Sequence, residues 1–256
     1  MRGGPRPMGL LQRSSDLVQL LAERGPLSPG EAAEHIGMPR PSLYRLSDAL
    51  TQARLVESAA DGKLRVSLQW LRLAEAARAG MTEWSGARRI LDDLARSTGQ
   101  TVYLSVPRAD QAVCIDWSQG RGVSVLALRP GRTLPLHAGA AGRVTLAFRA
   151  EPLEEYLQGA PFPPFTQHTL TQASELHADV AATRQRGYSV SDEDVTPGIG
   201  ALGVPLIDHG TFRGALSVAG LAEAIRAERD AFTAALLSSA AQLREETDSS
   251  DPGAPT

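Results

Sequence analysis

The chain has a single cysteine, Cys114, and no long run of apolar residues. One cysteine cannot form an internal disulfide, so a disulfide-stapled secreted domain is excluded. A membrane-spanning helix needs about 20 apolar residues, and nothing in the sequence approaches that length. The apolar run at residues 8–11 is also too short for the core of a secretory signal. These absences predict a protein of the reducing cytoplasm with no membrane partner.

A large charge of either sign is also absent, since the formal net charge of the 256 residues is −3. The charges are unevenly distributed, however. Residues 1–80 hold ten arginines and Lys63 against eight acids, which gives 11 − 8 = +3 and leaves −3 − 3 = −6 for the remainder. A basic N-terminal part on an acidic body is typical of a DNA-binding head attached to a sensor domain, although unrelated two-domain proteins share this pattern.

Two short helices joined by a tight turn are predicted in the basic part of the chain. At the start of the first helix, Ser28 offers an N-cap hydroxyl, Pro29 suits the first helical position and Glu31 completes a capping box. Gly37 supplies the residue that ends this helix. The second helix is predicted to begin within residues 40–42.

The second helix has an apolar stripe and a polar side. Leu43, Leu46 and Leu50 form the stripe. Facing outward or flanking the stripe are Arg40, Ser42, Tyr44, Arg45 and Ser47. Arginine can bond guanine edges, hydroxyls reach bases or phosphates, and the positive end of a helix dipole favours phosphate. The pattern favours a recognition helix over residues 40–52 in the major groove of double-stranded operator DNA. An ordinary helical hairpin with solvated arginines is the alternative.

A β-hairpin is predicted next, with strands at 55–57 and 63–67 around the turn dipeptide Asp61-Gly62. An earlier helix is predicted over about 8–24, and three helices followed by a hairpin make a winged helix-turn-helix. Lys63 and Arg65 would then lie beside the DNA backbone, although charges on an edge strand are more often only solvated. The predicted DNA-contacting residues are Ser28, Arg40, Pro41, Ser42, Tyr44, Arg45, Lys63 and Arg65.

The rest of the chain predicts an antiparallel sheet with flanking helices, which is an α+β sensor-type fold. Strands are predicted at 101–106, 112–117, 123–128, 201–207 and 212–219, and helices at 81–97, 174–187 and 223–244. Ser174 is the expected cap of the last-but-one of these helices. Residues 130–143 are expected to form a loop that enters a helix running through Phe148, and a further short helix is expected at 151–157. The predicted domains are a winged helix-turn-helix at 1–68, a linker helix at 69–80, an effector-binding domain at 81–245 and a disordered acidic tail at 246–256.

The sequence offers no catalytic or cofactor site. A G-x-G-x-x-G pattern at 198–203 has no strand before it and no helix after it, so the dinucleotide-binding motif is not indicated. The five histidines include no i, i+4 pair and no adjacent cysteine, so no metal site is predicted. His137 could bond a ligand or hold a loop in place. The carboxylates at 192–194 could serve acid–base chemistry, but a solvated turn is the commoner explanation. We therefore expect no enzyme activity, no cofactor and no metal.

Over nearly its whole length the chain resembles the IclR family of transcriptional regulators. The matching pieces are LSPGEAA at 27–33, MPRPSLYRL at 38–46, LPLH and AGR within 134–143, RGYSVSDED at 186–194, PGI at 197–199 and LSVAG at 216–220. Their order and spacing are more specific than any single piece. The resemblance implies a winged DNA-binding head, a connector helix and a C-terminal domain similar to GAF domains that binds a small-molecule effector. It also implies homodimers or tetramers joined partly through the heads.

Several residues depart from the family pattern. Pro41 replaces a small hydroxyl residue, Arg143 stands where lysine is usual, Ala201 where cysteine is frequent and Ala219 where serine is frequent. The resemblance implies an effector pocket lined by Ala140, Ala141, Gly142, Ser191, Asp192, Ala201, Ser217 and Ala219. With two alanines in place of polar residues, this pocket should suit an effector larger or more apolar than a small keto-acid, such as an aromatic acid.

Two other classes of function remain open from the sequence. The winged head could bind protein rather than DNA, which a weak salt dependence of DNA affinity would reveal. The chain could also be a small-molecule enzyme whose head serves only assembly, but that requires a catalytic constellation that the sequence does not offer.

Overall fold

A computed structural model of the chain describes the backbone of residues 7–81, 84, 86–122 and 128–250, and the side chains of 9–81, 84, 86–122 and 128–245. The chain divides into two compact units, Met1–Thr82 and Glu83–Thr256. The helix predicted as a linker over residues 69–80 thus belongs to the first unit. Among the described residues, no helix is long and apolar enough to span a bilayer.

The first unit is a winged helix-turn-helix. Its elements in chain order are α1 (Pro7–Arg24), α2 (Pro29–Ile36), α3 (Arg40–Gln52), β1 (Val56–Ser58), β2 (Leu64–Val66) and α4 (Gln69–Ala79). The strands pair antiparallel as the wing. The core joins all three head helices and both strands through Leu17, Leu21, Ala32, Ala33, Leu43, Leu46, Leu50, Val56 and Leu64. The leucine stripe predicted for the second helix is therefore its buried face.

Local signals in the sequence set the ends of α2 as predicted. The Ser28 hydroxyl accepts a hydrogen bond from the Glu31 backbone N–H at 3.2 Å, and the Glu31 carboxylate accepts one from the Ser28 N–H at 2.8 Å. Gly37, with a φ of 66°, ends the helix. After the wing, the Trp70 indole N–H donates to the Leu55 carbonyl oxygen at 2.8 Å, which ties the start of α4 to the head.

The second unit is a six-stranded antiparallel sheet flanked by helices. Its elements are α5 (Ala87–Thr98), β3 (Thr101–Arg108), β4 (Gln111–Ser118), β5 (Thr133–Pro135), α6 (Gly139–Phe148), α7 (Leu153–Leu157), α8 (Ala173–Arg186), β6 (Ser189–Asp192), β7 (Ile199–Asp208), β8 (Thr211–Leu221), α9 (Ala222–Ala227) and α10 (Arg229–Ser250). The strand order is β5-β4-β3-β8-β7-β6. The predicted α+β class is confirmed.

The two faces of the sheet are covered by different helices. On one face, residues of α5 and α10 pack on Val102, Leu104, Leu202, Val204, Leu216 and Val218. On the other face, α6, α7 and α8 form a second apolar cluster around Leu136, Val144, Leu146, Leu157, Leu176 and Val180. Because side chains alternate across a strand, the residues between those of the first set point toward α6.

Several elements differ from the sequence expectations. The helix expected over 81–97 begins at Ala87, the cap of α8 is Gln172 rather than Ser174, and the helix expected over 223–244 divides at Glu228. Two short strands, β5 and β6, were not predicted at all. In the segment expected to be a disordered tail from residue 246, α10 continues to Ser250. The strand expected over 123–128 lies mostly outside the described residues.

Candidate functional site

The outer side of α3 carries the polar residues that the sequence placed on a DNA-reading surface. Tyr44 is 52% exposed, and Arg45 is exposed and makes no hydrogen bond or ion pair with any described residue. Ser42 is half-buried beside them, and Pro41 is exposed. Ser47 was expected to face outward or to flank the leucine stripe. It does not face outward, since it is 3% exposed and its hydroxyl donates to the Tyr44 carbonyl oxygen at 2.9 Å.

Two of the predicted cations are already paired within the head. Arg40 lies 2.9 Å from the Glu34 carboxylate, and Arg65 lies 3.1 Å from that of Glu57. Glu57 also accepts hydrogen bonds from the Ser67 hydroxyl and the Leu68 N–H, and these contacts lower the pKa of its carboxyl group. Such exposed pairs contribute little to stability and can be exchanged for a phosphate partner.

The remaining predicted DNA contacts are Ser28 and Lys63. The Ser28 hydroxyl is engaged in the capping box of α2, where it also donates to the Glu31 carboxylate at 2.7 Å. Lys63 is exposed on the wing, and its ammonium forms no ion pair with a described residue. The face therefore holds Arg45 and Lys63 as cations without a protein partner in the part of the chain that the structure describes.

A cavity in the second unit lies between the sheet and the N-terminal end of α6. It contains about 520 Å³ of space free of protein atoms, part of it open to solvent. Its walls are mainly apolar: Leu128, Leu134, Gly139, Ala140, Ala141, Val195, Ile199, Ala201 and Ala219. Its polar groups come from Tyr103, Ser191 and Thr196. An apolar cleft with a few polar groups is typical of a small-molecule site.

The cavity brings together most of the residues that the resemblance implied. Ala140, Ala141, Ser191, Ala201 and Ala219 all line it. The strand register explains this, since Ser191, Ala201 and Ala219 lie opposite one another on β6, β7 and β8. The three side chains therefore share one face of the sheet.

Gly142 and Ser217 do not line the cavity, contrary to expectation. Gly142 faces β5, because a Cβ atom there would lie 2.6 Å from the Pro135 carbonyl oxygen. Ser217 is buried on the same sheet face but pairs with Gly203, over which α6 passes. A Cβ atom on Gly203 would lie 3.0 Å from the Ala140 carbonyl oxygen, so the glycine permits the close approach of the helix.

Asp192 is also not a lining residue, and its neighbour Asp194 holds the interior position instead. The Asp192 carboxylate is exposed and pairs with Arg226, with both side chains 48% exposed. Asp194 is 1% exposed, and its carboxylate accepts bonds from the Ser191 hydroxyl and from the Gly139 N–H, the latter at 3.2 Å. It thereby caps α6, whose N-cap residue has no polar side chain.

Asp194 belongs to a buried charge network that sequence reasoning missed. Arg143 bonds Asp179 through two nitrogens, one of them at 2.8 Å, and bonds Asp194 at 3.3 Å. Burial alone would lower the pKa of the Arg143 guanidinium, but the bonds to Asp179 and the charges of both carboxylates raise it. The arginine stays charged, and the network fixes α6 against α8 and the end of β6.

Burial sets the protonation of the groups beside the apolar wall. Burial raises the pKa of the Tyr103 phenol, and it raises the pKa of the Cys114 thiol to about 12. Both groups therefore remain neutral near pH 7. Cys114 packs with Tyr103 and Leu128, so the interpretation of this cysteine as a core residue agrees with its position.

His137 is held as a structural residue rather than aimed at the cavity. Its ring bonds the Tyr156 hydroxyl at 3.1 Å and the Pro163 carbonyl oxygen at 3.1 Å, and it stacks on Phe162. Burial lowers the pKa of its imidazole. Within the described ranges, no group of three or more His, Cys, Asp or Glu side chains is arranged to hold a metal ion.

Comparison with known protein families matches both units. The family described as "Bacterial transcriptional regulator IclR C-terminal" matches residues 81–245, and the "IclR helix-turn-helix domain" matches residues 10–60.

Similar proteins of known name are transcriptional regulators. The HTH-type transcriptional regulator XynR of Escherichia coli is 26% identical over 202 residues, which cover 78% of this chain and 80% of XynR. The HTH-type transcriptional regulator Rv1719 of Mycobacterium tuberculosis is 31% identical over 205 residues, covering 77% and 76% of the two chains.

Solved structures with the same fold span almost the entire chain. The IclR structure from Thermotoga maritima has a TM-score of 0.72 and 25% identity, covering 94% of this chain and 99% of the other. An IclR homolog from Microbacterium hydrocarbonoxydans, crystallised with 4-hydroxybenzoate, has a TM-score of 0.78 and covers 94% and 99%. Its 20% identity shows a shared fold.

Proposed function

Because the chain belongs to the IclR family of bacterial transcriptional regulators, we propose that it is a ligand-responsive one whose α3 reads operator DNA and whose cavity binds a small organic acid. Like its named relatives, the protein is a transcriptional regulator and not an enzyme. The alternative of an enzyme with an assembly head is thereby set aside. We propose the cytoplasm as its place of action, since its DNA would be found there.

The polar side of α3 supports the proposed mode of DNA binding. Arg45 is exposed and without a partner among the described residues, and Tyr44 and Ser42 stand beside it. An arginine on an exposed helix can bond the O6 and N7 atoms of guanine in the major groove. Lys63 on the wing would contact the phosphate backbone beside it. Two such heads in a dimer would bind two operator half-sites whose centres are about 34–36 Å apart, or a multiple of that distance.

The DNA-binding proposal is tested by recovering genomic fragments that the purified protein binds and then measuring Arg45→Ala on the best fragment. We expect the substitution to weaken operator binding by about 1–3 kcal/mol. Arg108→Ala removes the same charge from an exposed strand end of the second unit and should leave the affinity unchanged.

A steep fall of operator affinity with salt is expected, because phosphate contacts release counterions. Retention of full affinity by the Arg45 variant would exclude this residue from the reading surface. Absence of preference for any fragment at low salt would instead favour a head that binds protein.

The cavity supports an organic acid with an apolar body as the effector. Its floor carries Ala201 and Ala219, and Leu128, Leu134 and Ile199 complete an apolar wall. The first turn of α6 enters the cavity, and helix N-termini favour anions. The structural neighbour from Microbacterium hydrocarbonoxydans was crystallised with 4-hydroxybenzoate, an aromatic acid, which supports this class of effector.

Calorimetry with full-length protein tests the effector class. Benzoate and its ring-substituted derivatives should bind more tightly than pyruvate or glyoxylate, which are too small to cover the apolar walls. Tight binding of the two- or three-carbon oxo-acids together with no binding of aromatic acids would contradict the proposal.

The first unit also supports assembly into homodimers or tetramers. Leu68 and Leu71 at the start of α4 are 68% and 70% exposed, and α4 has no buried residue. An 11-residue helix with no buried residue is marginal in water, so a partner copy is a fitting cover for its exposed side. In such an assembly, effector binding would alter operator affinity through a coupling of about 1–3 kcal/mol.

A further inference from the structure

We propose that the Tyr103 hydroxyl is the specificity-determining group of the cavity, and that it bonds an oxygen substituent at the end of the effector opposite its carboxylate. The inference rests on the proposed organic-acid effector and narrows its chemical class. The effector would be a single-ring acid bearing a hydroxyl group or a comparable hydrogen-bonding oxygen far from the acid group.

Tyr103 is a buried residue whose hydroxyl has no hydrogen-bond partner among the described residues. The residue is 4% exposed, lines the cavity, and its hydroxyl makes no hydrogen bond with any described residue. Its other neighbours, Cys114 and Leu128, are apolar in character. Phenols in buried positions usually find a hydrogen-bond partner. An effector oxygen in the cavity would supply the partner that the described residues do not.

The sheet topology separates the backbone of Tyr103 from that of Ser191, another polar residue of the cavity. Tyr103 lies on β3 and Ser191 on β6, with β8 and β7 between them. Three strand spacings place the two backbones about 14 Å apart across the sheet. Thr196 lies on the Ser191 side, beyond the end of β6. The cavity therefore has two polar ends, with the alanines at 201 and 219 as an apolar floor between them.

The two ends suit different groups of a ligand. At the Ser191 end, the Ser191 hydroxyl already donates its proton to Asp194, so a ligand carboxylate there needs other donors. The first-turn N–H groups of α6 at Ala140 and Ala141 lie above the floor and suit a carboxylate. At the β3 end, burial in apolar surroundings keeps Tyr103 neutral and able to donate. A neutral donor there selects an oxygen acceptor without needing a second charge.

The test is calorimetric titration of the full-length protein and its Tyr103→Phe variant with benzoate, 4-hydroxybenzoate and 4-methylbenzoate. We expect the unmodified protein to prefer 4-hydroxybenzoate by about tenfold over the other two, as one net hydrogen bond allows. In Tyr103→Phe the preference should disappear, while benzoate affinity stays the same. Tyr188→Phe removes a phenol outside the cavity and should keep the preference; thermal denaturation verifies that both variants fold.

Each other outcome overturns the inference in a distinct way. Equal affinities for the three acids, or a preference that survives Tyr103→Phe, would remove Tyr103 as the selector and leave the organic-acid effector standing. Equal loss of benzoate and 4-hydroxybenzoate binding in Tyr103→Phe would mean that the phenol bonds the carboxylate. Absence of binding by all three acids would overturn this inference together with the proposed effector class.

Discussion

Two aspartates in one turn have opposite environments, although they are chemically identical. Asp192 points to solvent and pairs with Arg226, whereas Asp194 is buried with Ser191, Gly139 and Arg143 as partners. Glu193 between them has a φ of 59°, a left-handed conformation that redirects the chain inward. The alternation of side chains along β6 predicts that residues 189 and 191 point into the interior of the second unit. No sequence pattern predicts that residue 194 also turns inward.

This contrast predicts that the same Asp→Asn substitution lowers the free energy of unfolding by different amounts at positions 192 and 194. Asp194→Asn should destabilise the second unit by about 2–3 kcal/mol, because it removes a charge that Arg143 and the α6 N-terminus face in the interior. Asp192→Asn should cost less than about 1 kcal/mol, since its ion pair is exposed to water. Scanning calorimetry would measure both, and equal shifts of Tm for the two variants would contradict the buried role of Asp194.

The Cys114 thiol should be unreactive in the folded protein. Its pKa of about 12 lies above the value of 9.0 for an unperturbed thiol, so the folded state holds the proton more tightly than the unfolded state. The stabilising contribution is thus complete below pH 9 and is lost as the pH rises toward 12. Iodoacetamide at pH 8 should label Cys114 only after urea is added. Rapid labelling of native protein would refute its burial.

At the scale of elements, α2 depends on its cap. Ser28→Ala should destabilise the head by about 1 kcal/mol because a first-turn N–H loses its acceptor, while Ser28→Thr should preserve the cap. Thermal denaturation measures this cost, and filter binding at a temperature where both variants are folded measures operator affinity. If only stability falls, Ser28 is a cap alone; if affinity also falls in Ser28→Ala, the predicted DNA contact is supported.

Elements with local signals were predicted well, and those without them were missed. The cap residues of α2 and the leucines of α3 lie within a few positions of the structure that they specify. By contrast, β5 has three residues and β6 has four. Each is too short to show a pattern of its own and is defined by its pairing, with β4 for β5 and with β7, the next strand in the chain, for β6. The same reason applies to the cavity: Ser191, Ala201 and Ala219 meet only through strand register.

At the scale of the whole molecule, the exposed leucines of α4 predict self-association. Sedimentation velocity should show a dimer or larger assembly, and the double substitution of Leu68 and Leu71 by Gln should shift it toward monomer and weaken operator binding. Leu237→Gln makes the same chemical change at a leucine of the second unit that is 49% exposed. This control tests whether the loss of assembly and of operator binding comes from the leucines of the first unit. A monomeric unsubstituted protein would contradict the prediction.

The sequence by itself determined the fold class, the caps and apolar stripes of the head, and the family, because these depend on residue types at short or regular spacing. Only the tertiary structure decided that Asp194 rather than Asp192 faces inward, that Gly142 of α6 faces β5 instead of the cavity, and that Tyr103 lines the cavity. These outcomes follow from which strand pairs with which and from how closely α6 approaches the sheet. Such contacts join residues far apart in the chain, and no local pattern encodes them.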